Sequence, residues 1–354
     1  MQVALSLEQL WHRIPGGTAV AALELARELK ADPNVDLVGV RALHRGEPPA
    51  PWSVSLPWRT TALPRPLAYE AWLRWRRPHV GRVDVVHATT LVPPPTRVPW
   101  VATVHDLAVI HDPGHFTKRG VRTMTRGLEI IRGEAALVLC SSSATMADCR
   151  DFGIESERLR LVPLGVRGPA SPIDPTASLG RLGLQRPYVL SVGTLEPRKN
   201  LARLVEAFRQ LPADYDLAVV GPAGWGPDIQ GRLEGLGDRA KVCGFVDQPT
   251  LWDLYAGAAV FCYPSLREGF GLPVLEAMVA GAPVVTSRGT ATEEAADGAA
   301  VLIDPTDVAD IARGLHEAIN QRDELVARGA TVAARATWAR TAALTVALYR
   351  EVAR

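Results

Sequence analysis

Residues 188–211 read YVLSVGTLEPRKNLARLVEAFRQL. The opening run, Tyr188–Gly193, is short and apolar, as a buried parallel strand requires, while Leu201–Leu211 recurs with helical spacing. Thr194-Leu195-Glu196-Pro197-Arg198-Lys199-Asn200 turns the chain between them. The chain has only four lysines, at positions 30, 118, 199 and 241, and one stands beside Arg198 at this strand's carboxyl end. Cations oppose the dipole at a helix start, so a merely solvated helix terminus explains the pair poorly. Arginine as a fork and lysine as a point charge can together hold phosphate oxygens.

The same strand, loop and helix recur on either side. Strands are expected at Val3–Leu7, Leu37–Val40, Val83–His87, Trp100–His105 and Ala136–Cys140. A second series follows at Leu217–Val220, Lys241–Gly244, Val260–Tyr263 and Pro283–Thr286. Helical spacing marks Ala19–Lys30, Tyr69–Arg77, Arg119–Gly133 and Thr250–Ala256. The pattern predicts two consecutive doubly wound, Rossmann-like α/β domains, and 354 residues suffice for both. They are expected at 1–167 and 188–336, facing each other across a cleft, with Pro/Gly/Ser-rich 168–187 as a flexible linker. The last helix, in 337–354, carries Trp338, Leu344, Leu348 and Tyr349 and is expected to cross back onto the first domain.

Composition narrows the partners. There are 39 basic and 38 acidic side chains, a net +1 that offers no global electrostatic case for nucleic acid. Residues 1–167 carry a net +5 and the remainder a net −4. Cys140, Cys149, Cys243 and Cys262 lack C-x-x-C spacing and read as buried free thiols of a reducing cytosol. Neither a basic, signal-like start nor an apolar run of ~18 residues is present, so a cytoplasmic location is expected.

A second constellation is Arg267-Glu268-Gly269-Phe270-Gly271-Leu272-Pro273-Val274-Leu275-Glu276. Pro273 suits the first turn of a helix and Gly281 its stop. Glu276 then lies in or just past that turn, and Glu268 stays in the glycine-rich loop. Free N–H groups at such a terminus suit a diphosphate. An acidic residue answering the helix dipole accounts for Glu276 alone, but not for Glu268 beside Gly-Phe-Gly. Gly16-Gly17-Thr18 opens the first long helix and allows close approach of an anion, although many tight turns carry Gly-Gly. Gly221-Pro222-Ala223-Gly224-Trp225-Gly226 follows a strand with the wrong spacing for a dinucleotide motif. His105 ends a strand, where it is a candidate for chemistry; His87 and His111 read as structural. No cluster has metal-ligand spacing, and no G-x-S-x-G elbow appears.

Together these stretches resemble the retaining, nucleotide-sugar-dependent glycosyltransferases of family 4, which have the GT-B fold. The signature is two glutamates separated by seven residues, Glu268 and Glu276, around Gly-Phe-Gly-Leu-Pro, accompanied by Gly-Thr-Leu-Glu-Pro-Arg-Lys-Asn-Leu at 193–201. His105-Asp106-Leu107 and Val219-Val220-Gly221-Pro222 look most like the mannosyltransferase subgroup. The resemblance implies that Arg198 and Lys199 bind the donor diphosphate, that Glu276 holds the ribose, and that Glu268 contacts the transferred sugar with the amides of Gly269, Phe270 and Gly271. It implies further that His105 contacts the sugar, that Gly16 and Gly17 approach the phosphates, and that the base lies near Phe245 and Val246. Two departures stand out: Thr290-Ala291-Thr292-Glu293-Glu294 lacks the proline common before the glutamate, and Ser142 replaces a frequent Glu.

The expected reaction is transfer of a hexose, mannose from GDP-mannose, to a glycan or lipid-linked acceptor, with no cofactor and no metal. Cations and helix-terminal N–H groups would stabilise the charge developing on the leaving diphosphate. A glycosidase built on Glu268 and Glu276 leaves the phosphate-type stretch unexplained; a nucleotide-sugar epimerase and a non-catalytic nucleotide-sugar-binding module remain as alternatives. Residues 69–82, with Trp72, Trp75, Arg74, Arg76, Arg77 and Arg82, allow peripheral docking on an anionic membrane. The other reading is an ordinary helix with Leu67, Ala71, Trp72 and Trp75 packed on the sheet, since helical spacing puts both tryptophans on one face.

Overall fold

The computed structural model describes residues 1–12, 16–48, 50–224 and 229–353; Trp225 and Gly226 of the glycine-rich stretch lie outside them. The chain divides into two compact units, Met1–Gly165 with Trp338–Arg354, and Val166–Thr337. The first is built on a seven-stranded parallel sheet: β1 (Gln2–Ser6), β2 (Asp36–Leu43), β3 (Trp58–Pro64), β4 (Val85–Ala88), β5 (Trp100–Val104), β6 (Leu137–Cys140) and β7 (Leu159–Leu161), in the order β3-β2-β1-β4-β5-β6-β7. The second has six parallel strands, β8 (Tyr188–Val192), β9 (Asp216–Val220), β10 (Ala240–Gly244), β11 (Val260–Tyr263), β12 (Val284–Ser287) and β13 (Val301–Ile303), ordered β10-β9-β8-β11-β12-β13. Each order reverses once, between β1 and β4 and between β8 and β11. At such a switch point the connections diverge, leaving a crevice beyond the strands' carboxyl ends.

Central strands such as β4, β6, β11 and β12 are buried at every residue, which is why they read as continuous apolar runs. The strands that escape the sequence reading, β3, β7 and β13, all lie at sheet edges. An edge strand has one partner and half a cover; β3 accordingly has no fully buried residue and carries Arg59, Thr60 and Thr61. Its apolar signal is weak for a physical reason.

Three expectations need correction. The stretch expected as a linker carries a helix, Pro175–Arg181, which packs on the helix Gln248–Gly257 within the second unit. Asp174 caps it, and the Ser178 hydroxyl donates to Asp253 Oδ2 at 2.6 Å.

Residues 65–75 are not one amphipathic helix. An α-helical turn, Arg65–Glu70, passes into a wider π turn, Ala71–Trp75, in which the Arg76 N–H reaches back to Ala71 O. The wider winding advances fewer degrees per residue, so residues three apart lose their common face. Trp72 is buried, whereas Trp75 is 63% and Leu67 56% exposed. The two tryptophans therefore share neither a membrane-facing nor a core-facing stripe.

The last helix, Trp338–Val352, belongs to the first unit and packs on Gly17–Ala31. Its buried face is Trp338, Thr341, Ala342, Thr345, Val346 and Tyr349; Leu344 lies outside it. Hydropathy alone misplaces this stripe because two threonines are on it. Their hydroxyls are satisfied, Thr341 by Pro163 O and Thr345 by Thr341 O, both at 2.8 Å. No helix among the described residues is long and apolar enough to cross a membrane.

Candidate active site

In the second unit, the loops after β8 and β11 meet at the switch point. After β8 the backbone makes a 3₁₀ turn, Pro197–Lys199, and Asn200 takes the left-handed conformation (φ 60°) before the helix Leu201–Phe208. The Asn200 amide is buried and donates to Pro264 O at 3.0 Å and Pro305 O at 2.6 Å, pinning this turn to the loops after β11 and β13. The Leu266 N–H donates to Arg198 O at 2.9 Å, a second tie to the β11 loop. The backbone thus delivers Arg198 and Lys199 against Glu268.

The sequence reading gives Arg198 and Lys199 one duty and Glu268 another; the structure makes the three side chains one cluster. The Arg198 guanidinium donates to Glu268 Oε2 and Glu196 Oε1, each at 2.6 Å, and to Arg267 O at 2.9 Å. Lys199 Nζ donates to Glu268 Oε1 and to the Tyr263 hydroxyl, each at 2.6 Å. One carboxylate bridges both cations, and all three side chains keep a fraction of their surface open. Burial pulls the Lys199 ammonium below its ordinary value, and Glu268 opposes that pull. Burial would raise the Glu268 carboxyl, yet the adjoining Lys199 and Arg198 outweigh it and hold it below its usual range. Tyr263 joins the site from a strand that no motif marks, and Glu196 joins it from within the 193–201 stretch.

Gly193 and Gly271 are required by local geometry. At φ 148°, a Cβ on Gly193 would sit 3.1 Å from Lys199 Cε. Gly271 has φ 113°, and a Cβ there would lie 3.1 Å from Thr292 Cγ2. It opens the helix Leu272–Val279, with Pro273 in the first turn. The N–H groups of Phe270, Gly271 and Leu272 find no acceptor among the described residues, so this terminus offers donors to an anion. Thr290 and Thr292 stand where the usual proline is missing; Thr290 caps the helix Ala291–Ala296 and Thr292 backs Gly271.

Glu276 is the fifth residue of its helix, just past the first turn. It does not join the cluster: the Tyr255 hydroxyl donates to its Oε2 at 3.0 Å. Burial raises its carboxyl above the ordinary value, and the Tyr255 hydrogen bond works against that rise. Phe245 and Val246 follow the edge strand β10, two positions from β8 in the sheet; Phe245 is 76% exposed, an aromatic face offered to solvent.

The remaining predicted residues lie in the first unit. Gly16 caps the helix Gly17–Ala31 without a side-chain bond, and a Cβ on it would meet nothing within 4 Å. His105 follows β5 half-buried, its imidazole pushed down to about 4 by burial, against the pull of Asp106. His87 is wholly buried: its Nδ1 pairs with the Tyr349 hydroxyl at 2.6 Å and its Nε2 with Thr103 Oγ1 at 2.7 Å. It ties the last helix to the sheet. Ser142, in place of a frequent glutamate, caps the helix Ser143–Asp151 by accepting from the Thr145 N–H at 3.1 Å.

Comparison with known proteins bears on the family and the fold. Residues 15–167 match the family described as Glycosyltransferase Family 4, and residues 180–333 that described as Glycosyl transferases group 1. The O-antigen chain mannosyltransferase B of Escherichia coli is 33% identical over 265 residues, covering 71% of this chain and 70% of that protein. The serotype-specific mannosyltransferase WbdA of the same organism is 29% identical over 72% of this chain, which spans 34% of WbdA's length. Among solved structures, Anabaena HepE in complex with UDP and glucose superposes with a TM-score of 0.75 at 19% identity, covering 99% of this chain and 100% of that one. The fold is that of the GT-B glycosyltransferases.

Proposed function

The chain belongs to glycosyltransferase family 4, and from that premise we propose that it transfers mannose from GDP-mannose, with retention and without a metal ion, to a glycan or lipid-linked acceptor in the cytoplasm. The observation that carries the reading is the Arg198–Lys199–Glu268 cluster, set at a switch point beside unpartnered helix-terminal N–H groups. Breaking an anomeric C–O bond toward a diphosphate builds positive charge on the sugar and negative charge on phosphate oxygens. Two cations with open surface, fixed before the donor arrives, meet that negative charge without reorganising. A divalent ion is then unnecessary for the leaving group.

Glu268 has a double duty in this scheme. Its carboxylate keeps Lys199 charged against burial, and its remaining lone pairs accept from hydroxyls of the transferred sugar. Glu276, steadied by Tyr255, accepts from the ribose hydroxyls, and Phe245 lends its exposed ring to the base. Mannose and guanosine are chosen because mannosyltransferases stand among the relatives. HepE was solved with UDP and glucose, which makes UDP-glucose the natural competitor. The test is a panel of nucleotide sugars with mass spectrometry of the products and NMR of the anomeric linkage. GDP release with an α-linked mannosyl product is expected. Preference for a UDP-sugar overturns the donor assignment, and an inverted linkage overturns retention.

A further inference from the structure

In the first unit a cavity of about 20 Å³ lies between the sheet and the helices Gly17–Ala31 and Trp338–Val352. Thr103 and His105, two apart along extended backbone and so on one face, line it from the sheet; Ala22 and Thr345 line it from the two helices. A water needs ~10–15 Å³ by the same measure, so the cavity takes one water and no sugar.

Its polar wall ends a chain of hydrogen bonds that starts on the last helix. Tyr349 is fully buried, and its hydroxyl meets only His87 Nδ1, at 2.6 Å, among the described residues. A buried hydroxyl proton needs an acceptor, and that nitrogen is the one within reach. Complete burial keeps His87 neutral, so its single ring proton sits on Nε2. From there it is donated to Thr103 Oγ1 at 2.7 Å. The proton of Thr103 itself is then turned away from His87, and no acceptor among the described residues receives it.

His105 borders the same gap. Its carbonyl accepts from the Thr145 hydroxyl at 3.0 Å, yet its imidazole has no hydrogen-bond partner among the described residues. A donor without an acceptor and a ring without a partner thus share the space of one water. Thr345 adds an acceptor, because its own proton is committed to Thr341 O at 2.8 Å.

We infer that one buried water joins Thr103 to His105, accepting from the threonine hydroxyl and donating to the imidazole and to Thr345 Oγ1. The ring nitrogen that accepts from the water carries no proton, so the proton is fixed on the other. Tyr349, His87 and Thr103 are in this sense positioning residues, through which the last helix sets the tautomer of His105. That the resulting N–H meets the transferred sugar rests on the transferase reading; the water and the tautomer do not.

The test is NMR of the ring nitrogens in the full chain, carrying isotopically labelled histidine and assigned by through-bond correlation. The wild type is expected to show His87 protonated on Nε2 and His105 in one tautomer. Thr103→Val should lower the His105 tautomer ratio by about fivefold or more, the worth of one hydrogen bond, and Thr103→Ser should restore it. Tyr349→Phe, which does not touch the cavity, should move His105 in the same direction. The inference is overturned by a wild-type His105 in two comparable tautomers, by His87 protonated on Nδ1, or by His105 signals that ignore Thr103→Val. The wild-type spectrum decides the first two even where a variant fails to fold. Transfer assays on the same proteins keep the two readings apart. A moved His105 signal with unchanged transfer takes His105 out of the reaction and leaves the relay standing, whereas lost transfer with an unmoved signal sinks the relay alone.

Discussion

Replacing Glu268 by glutamine keeps the shape of the side chain and removes the charge that both cations share. Each contact is 2.6 Å long, and the Glu268 side chain is 9%, that of Lys199 11% and that of Arg198 20% exposed. At an effective dielectric of about 20, one such contact has a Coulomb energy of about 6 kcal/mol, most of it offset by desolvation. Removing one partner of a buried pair costs ~3–5 kcal/mol, because the other charge is left uncompensated. Glutamine retains one acceptor, so the loss belongs at the lower end, about 3 kcal/mol. That predicts a fall in donor kcat/KM of about 10²-fold, expressed mainly in kcat, since the stabilised charge develops in the transition state.

A second readout tests the cause. Burial and Arg198 pull the Lys199 ammonium down while Glu268 holds it up. Without the carboxylate, Lys199 loses its proton at lower pH, so the alkaline limb of the kcat/KM profile moves toward neutrality. Stopped-time assays of nucleoside diphosphate release over a pH series measure both quantities. A folded Glu268→Gln protein with kcat/KM within threefold of wild type (about 0.6 kcal/mol) and an unmoved alkaline limb would refute the reasoning.

Other perturbations separate the remaining roles. Glu276→Ala is expected to raise the donor KM about tenfold or more with kcat little changed, and Tyr255→Phe to do the same more weakly; calorimetry with GDP and steady-state kinetics check both. Gly271→Ala forces a side chain onto φ 113° against Thr292 and should destabilise the protein by about 1–3 kcal/mol in urea unfolding; an unchanged midpoint contradicts the geometry. His87 is held neutral, its imidazole pushed down from 6.5 to about 3 by burial, with His105 adding. The unfolded chain binds that proton first, so stability is full above pH 6.5 and is lost as pH falls toward about 3. His87→Gln should flatten that slope in urea unfolding across pH. Trp72→Ala should cost ~3–5 kcal/mol and Trp75→Ala within ~0.5, because only the first ring is buried; equal losses would restore a common tryptophan face.

Much of the site was legible because its chemistry is local. Arg198 and Lys199 are adjacent in sequence and follow a strand, and Glu268 and Glu276 flank a glycine loop that opens a helix. Tyr263, Glu196 and Tyr255 were not legible. A tyrosine at the end of an apolar strand, or on the buried face of a helix, looks like core until its hydroxyl is found on Lys199 or on Glu276.

By itself the sequence determined the alternation of strands and helices, the two-sheet architecture and the residues from which the charged cluster is built. Those follow from periodicity, glycine and proline placement and charge at strand ends, all readable within about ten residues. Tertiary structure alone decided the rest. Edge strands were set by their neighbours, and the buried face of the last helix by where two threonine hydroxyls find acceptors. A π turn after Glu70 parted two tryptophans that a regular helix would have kept together. Likewise, the merger of Arg198, Lys199 and Glu268 into one cluster depends on parallel strands, β8 and β11, that lie far apart in sequence and adjoin in the sheet. Long-range pairing brings such charges together, and no local pattern encodes the distance at which they meet.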